Sequence, residues 1–273
     1  MTKFWNFIER GLIQYFLNVS QHRDSSYNNK HRFRKGGMVP ILMQAFINHI
    51  NGKSESVVLG NLILSLALLA EDDLMTSAQL RNNSILTLTI RLVLTYPDDE
   101  MLFMAAGGLI ASSCVVFNDK WTDWIMFETP LIENQDLFIH GNVFPYIIGF
   151  ITSAPRMKSS VVMSFVSLAA LAWQNEKGIS LLRDSIGVLS EILSSDVVHE
   201  AECMFYGLLV LGSMISLPKP DEKIMNICAS LIFELIERAQ KLFPDNLCIK
   251  KICRLLFSHI QRCGGRARLL TAA

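Results

Sequence analysis

The side chains in this 273-residue chain with the makings of metal or acid–base chemistry are six cysteines, six histidines and one acidic triplet. Cys248, Cys253, His259 and Cys263 form a C-x4-C-x5-H-x3-C series. A structural zinc site needs four such ligands converging on one point, and this series, spread along two helices, does not place four together. The thiols read more simply as small hydrophobes among apolar neighbours. His22, His31, His49, His140, His199 and His259 are scattered. Asp98, Asp99 and Glu100 resemble a catalytic acidic cluster, yet no nucleophile or base is linked to them, and they sit where carboxylates favour the positive end of a helix. No glycine-rich loop precedes a helix, and no strand–helix alternation supports a nucleotide-binding or hydrolase sheet. The reading is therefore no enzyme, no cofactor and no metal.

One charged feature remains. Residues 20–35 (SQHRDSSYNNKHRFRK) carry no apolar period and read as a flexible basic loop. Within it Arg32, Arg34 and Lys35, beside His31 and around Phe33, can contact phosphates, act as an import signal, or be a solvated face. The chain as a whole gives no steering toward polyanions, because 25 Lys and Arg balance 25 Asp and Glu.

The elements that position these residues are apolar helices. Hydrophobic residues make up 51% of the chain, enough for a sizeable core. The longest nearly uncharged runs, Val57 to Ala70 and Phe103 to Phe117, fall short of the ~20 residues a bilayer crossing takes, so no membrane span is expected. A helix that is apolar almost all round needs neighbours on at least two sides, which is the mark of a stacked array. Residues 1–19 place Phe4, Trp5, Ile8, Leu12, Tyr15 and Phe16 on one face. They predict an amphipathic helix, either a cap on the first layer or a detachable binding element. It has no signal-peptide or anchor character, and the cysteine usage points to an intracellular, reducing compartment, cytoplasmic or nuclear.

A two-part phrase, a short helix followed by a polar turn and a longer apolar helix, recurs. Its short helices start near Val39, Ile85, Phe144, Ile186 and Ile227, at intervals of 46, 59, 42 and 41 residues. The second helices are VVLGNLILSLALLA, MLFMAAGGLIASSCVVF, VVMSFVSLAALAW and AECMFYGLLVLGSMIS. Gly60, Gly107, Gly108 and Gly207 within them read as points of close helix approach. The long interval locates an insertion at about 119–141, holding Trp121, Trp124 and Phe127. It is either a partner-binding loop or an extra helix over Trp121 to Phe127. Two helices separated at Pro244 follow, and residues 264–273 read as a disordered tail.

GGMVPILMQAF (Gly36 to Phe46) resembles the opening of the second helix of an armadillo repeat, and NVFPYIIGFI repeats its proline at Pro145. DDLMTSAQLRNN (Asp72 to Asn83) resembles the short first helix of such a unit. The interval matches the ~40–47 residues of armadillo and HEAT units. The resemblance implies an all-α, right-handed α-solenoid of four to five imperfect armadillo-like repeats over 36–263, whose third helices line a groove for partner proteins. Family members that hold extended peptides carry an asparagine ladder there. The matching positions here hold Leu68, Ala111, Ala170 and Val210, so the ladder is missing. An apolar groove leaves an extended peptide's backbone groups unsatisfied. The expected role is a non-enzymatic scaffold or adaptor subunit of a larger complex, binding an amphipathic helix or another subunit through that groove or the insertion. The alternative is a nucleic-acid- or chromatin-associated module using residues 31–35.

Overall fold

The structure, a computed structural model, describes residues 23–52, 54–117, 127–153, 158–195, 200–216 and 222–262. The expected capping helix within 1–19 and the tail 264–273 lie outside them, as do Trp121 and Trp124. Fourteen helices occur among the described residues. They fall into triplets: α1 (Arg23–Lys35), α2 (Met38–Asn51) and α3 (Ser56–Ala70), then α4 (Leu74–Asn82), α5 (Ile85–Thr95) and α6 (Glu100–Cys114). A third triplet holds α7 (Ile132–His140), α8 (Val143–Thr152) and α9 (Lys158–Ala172), and a fourth α10 (Glu176–Asp184), α11 (Ile186–Ser194) and α12 (Ala201–Met214). Helices α13 (Glu222–Leu242) and α14 (Leu247–Arg262) close the series.

The middle helices share a start signal. Gly37 (φ 75°), Ser84 (φ 61°) and Asn142 (φ 58°) each stand in the left-handed region just before one. Glycine takes this conformation freely and asparagine at modest cost. Counting from these residues, the second, fifth and ninth positions are buried in all three layers: Val39, Leu86 and Phe144, then Leu42, Thr89 and Ile147, then Phe46, Val93 and Ile151. Ile85 therefore stands one place ahead of the frame set by Val39 and Phe144, beside Val143. In α11 the preceding Ser185 is not left-handed (φ −99°), and Leu189 and Leu193 are buried one position early. Without the left-handed entry, that helix enters its layer a residue out of step, which puts Ile186 outside the common frame.

The chain divides into two compact units, Met1–Ser113 and Cys114–Ala273. In the first, α3 and α6 pack at small residues. A Cβ on Gly60 would lie 3.8 Å from Met101 O and 4.0 Å from Ala105 Cβ, and one on Gly108 would lie 3.8 Å from Leu64 Cδ1. Leu66, Ile63 and Leu102 are fully buried, each contributing about 2 kcal/mol of apolar burial. Residues 20–35, expected as a flexible loop, are helical from Arg23 to Lys35. Tertiary anchors explain this where local periodicity does not. Lys30 pairs with Glu71. Arg34 donates from Nε to Leu69 O (2.7 Å) and from Nη2 to Glu71 O (2.6 Å), capping the end of α3, and its Nε lies 3.7 Å from Asp73 Oδ2. Asp73 in turn accepts from Thr76 N (2.9 Å) as the N-cap of α4.

The second unit opens with a two-stranded antiparallel ribbon, β1 (Val115–Phe117) and β2 (Phe127–Pro130), paired Val115 to Pro130, Val116 to Thr129 and Phe117 to Phe127. The expected helix Met101–Phe117 thus stops at Cys114, and the β-branched and aromatic Val115, Val116 and Phe117 extend instead. The excess length lies between Cys114 and Ile132 rather than at 119–141, because residues 132–140 are the ordinary first helix of the third triplet. The reading of Trp121 to Phe127 as a helix is overturned at Phe127, a strand residue.

The clasp of the first unit recurs here in neutral form. Gln135 Nε2 donates to Ala170 O (2.7 Å) and Trp173 O (3.0 Å) at the end of α9, and Gln135 Oε1 accepts from Asn175 Nδ2 (3.2 Å). Asn175 Oδ1 accepts from Lys177 N (3.0 Å) and Gly178 N (3.1 Å), capping α10. Asp73 and Asn175 each follow a left-handed residue, Asp72 (φ 58°) and Gln174 (φ 52°), and each opens a nine-residue helix. The junction between third and first helices is therefore the same device twice, once ionic and once amide. Beyond it, α12 is buried along nearly its whole length, with α13 and α14 packed on it. Arg238 Nη1 and Nη2 reach Leu193 O and Ser195 O, each at 3.2 Å.

Candidate partner-binding surface

Among the described residues no three His, Cys, Asp or Glu side chains gather where a metal ion could sit. His259 Nε2 lies 3.0 Å from Ile215 O, Cys253 is buried, Cys248 is exposed, and Cys263 lies outside the described residues. Of the acidic triplet, Asp99 Oδ1 accepts from Leu102 N (3.0 Å) at the start of α6, a helix cap. Burial pushes the Cys228 thiol up to about 12 and that of Cys253 to about 11. Buried thiols of this kind are inert, so a maleimide at neutral pH is expected to modify Cys248 in the native protein and spare Cys114, Cys203, Cys228 and Cys253 until it unfolds. Mass mapping of the adducts checks this. Both thiols hold their protons more tightly folded than unfolded, where the pKa is about 8.5. Their contribution is intact below about pH 8.5 and is lost as pH climbs toward 11 and 12.

The predicted groove residues separate. Ala111, Ala170 and Val210 are buried, and the Ala170 carbonyl is occupied by Gln135. Ala170 and Val210 do not form an open face, because α9 and α12 pack closely on one another along their apolar sides. Gly207 leaves room for Leu193 of α11, whose Cδ2 would overlap a Cβ there. Phe127 is fully buried, edge-on to Trp173 with centroids 5.5 Å apart, and is a core residue rather than a contact loop. Of the basic trio, Arg34 is committed to the end of α3, whereas Arg32 and Lys35 are exposed.

Of the predicted groove, what stays open lies in the first unit. Along α3, Val57 (52% exposed), Asn61, Leu64 (37%) and Leu68 face outward at steps of four, three and four, with Asn61 and Leu68 half-buried. This is one helical stripe. Beside it on α6 run Met101 (50% exposed) and the half-buried Met104. The two stripes are brought side by side by the Gly60 and Gly108 contacts described above. The result is an apolar double ridge with the Asn61 amide along it and Glu100 at the start of its α6 side. Leu68 is thus the one predicted groove residue that reaches this surface. Val57, Leu64, Met101 and Met104 were missed because, in a helix apolar all round, sequence does not say which side is left uncovered.

No described helix is long and apolar enough to cross a membrane. No family model matches the sequence, and no curated protein does. Among solved structures, the chain is similar to a designed armadillo repeat protein in complex with a (KR)4 peptide, with a TM-score of 0.61 at 12% identity, over 85% of this chain and 86% of that one. At that identity the likeness speaks to the fold, and with the helix triplets it makes this chain an all-α solenoid of armadillo-like repeats.

Proposed function

We propose that the protein is a non-enzymatic scaffold or adaptor that docks an amphipathic helix of a partner protein on the α3–α6 double ridge. The exposure of Val57, Leu64 and Met101 on adjacent third helices carries this reading, since apolar surface left uncovered in a folded chain favours a partner. The chemistry of the ridge favours a helix over a strand-like peptide. An extended peptide brings unsatisfied N–H and C=O groups, and Asn61 is the one side-chain amide on the stripe to meet them, whereas a helix satisfies its own. The similar designed protein was solved with a peptide of alternating lysine and arginine; a mainly apolar ridge suits such a ligand less than it suits an apolar helix face. Methionines 101 and 104 adapt to the partner's side chains.

A photoreactive side chain placed at Leu64 is expected to crosslink to a helical segment of the native partner, whereas one at Arg81 is not. In the variant M101E, recovery of that partner should fall more than tenfold with helical circular dichroism unchanged, because that side chain is half exposed. Equal recovery, or equal crosslinking at Arg81, rejects the ridge as the docking surface. The nucleic-acid reading loses Arg34 to the α3 clasp and is not carried further.

A further inference from the structure

We infer a second docking surface, on α14 in the other unit, for an acidic leucine-bearing helix of another protein. Leu247, Lys250, Lys251, Arg254 and Leu255 recur at steps of three, one, three and one, which places them on one face of the helix. The opposite face, Ile249, Ile252, Cys253, Leu256 and Ile260, is buried. Helix α14 contains no Asp or Glu. Asp245 lies 4.0 Å from Lys250 and is fully solvated, so it neutralises little. A solvated cationic face is what a closing helix ordinarily shows, but two features go beyond that. Leu247, the first residue of the helix and one turn ahead of Lys250 and Lys251, is 79% exposed. Two adjoining hollows also share Lys250 and Arg254: one of about 440 Å³ bordered by Leu247, Lys251 and Leu255, and one of about 210 Å³ bordered by Phe243, Pro244 and Ile249.

An exposed leucine and a half-buried one bordering the same hollow as three cations ask for apolar side chains flanked by carboxylates, a pattern that an acidic amphipathic helix presents at successive turns. Other occupants fit worse. Residues 263–273 of this chain bring Arg266 and Arg268 and no acid. A two-fold pairing of two copies would set the three cations against themselves. A nucleic acid would use the cations and leave the leucines idle, and a flat lipid surface has no side chains to fill the hollows.

The test uses the full chain and a fluorescent peptide carrying leucines at helical spacing with glutamates beside them. We expect saturable binding that weakens with salt, falls at least tenfold in K250E/R254E, and falls similarly in L247S/L255S. Unchanged helical circular dichroism and melting confirm that the variants keep the fold. Four results overturn the inference: no binding of this peptide, equal binding of a glutamate peptide lacking leucines, binding of equimolar phosphatidylserine–phosphatidylcholine vesicles or of single-stranded DNA in its place, or a leucine-dependent dimer of the protein itself. None depends on the α3–α6 ridge, so either surface can fail while the other stands.

Discussion

Replacing Gly178 by alanine is expected to cost about 2–3 kcal/mol of stability, read as a lower denaturation midpoint in urea at unchanged slope. A Cβ there would stand 2.8 Å from Ala172 Cα and closer still to Leu171 O. Both are backbone atoms at the end of α9, so no rotamer change relieves the overlap. The N–H of Gly178 is also bonded to Asn175 Oδ1, which ties its position to the cap. Gly60→Ala is the control. Its Cβ would meet ordinary contacts at 3.8–4.0 Å, and a mid-helix glycine-to-alanine change gains up to about 1 kcal/mol of helix propensity. Two glycines in apolar helical surroundings thus differ in sign. If Gly178→Ala proves neutral, the first helix of the fourth triplet does not sit on α9 as described.

That contrast is also the measure of what the sequence could disclose. The alternation of short and long apolar helices, the forty-odd-residue interval and the acidic start of α6 at Asp98, Asp99 and Glu100 are local signals, written in spacing and in charge. They were legible. The helix at Arg23–Lys35 was not, because what holds it is Arg34 meeting carbonyls more than thirty residues away. The ribbon after Cys114 was hidden for a different reason. Val115, Val116 and Phe117 continue an apolar run, and a short apolar run reads equally as helix or strand. The burial of Ala111, Ala170 and Val210 was not legible because an all-apolar helix has no polar face to announce its orientation. Only packing decides that Leu64 is open and Val210 is closed.

The amide clasp of the second unit should show the same logic in energy. Gln135→Ala strips partners from the Ala170 and Trp173 carbonyls, and Asn175→Ala strips the cap from α10 while orphaning Gln135 Oε1. Each is expected to cost about 2–3 kcal/mol. Because they share one bond, the double variant should cost roughly 1 kcal/mol less than the sum, read from urea midpoints in a double-mutant cycle. The charged substitution is more telling. Asn175→Asp keeps the acceptor that caps Lys177 and Gly178 but removes both donors. It turns a carboxylate toward Gln135 Oε1 and toward Asp136, whose own carboxyl is held below its usual range chiefly by the hydrogen bond from Lys177. In the first unit an aspartate serves at this position because Arg34 faces it; here the cation at hand, Lys177, is taken by Asp136. The variant's deficit should be largest where the new carboxyl is ionised and shrink as pH falls through its titration, where protonation restores a donor. A deficit that grows on acidification would mean that Lys177 turns to the new carboxylate, and that the clasp tolerates charge in either unit.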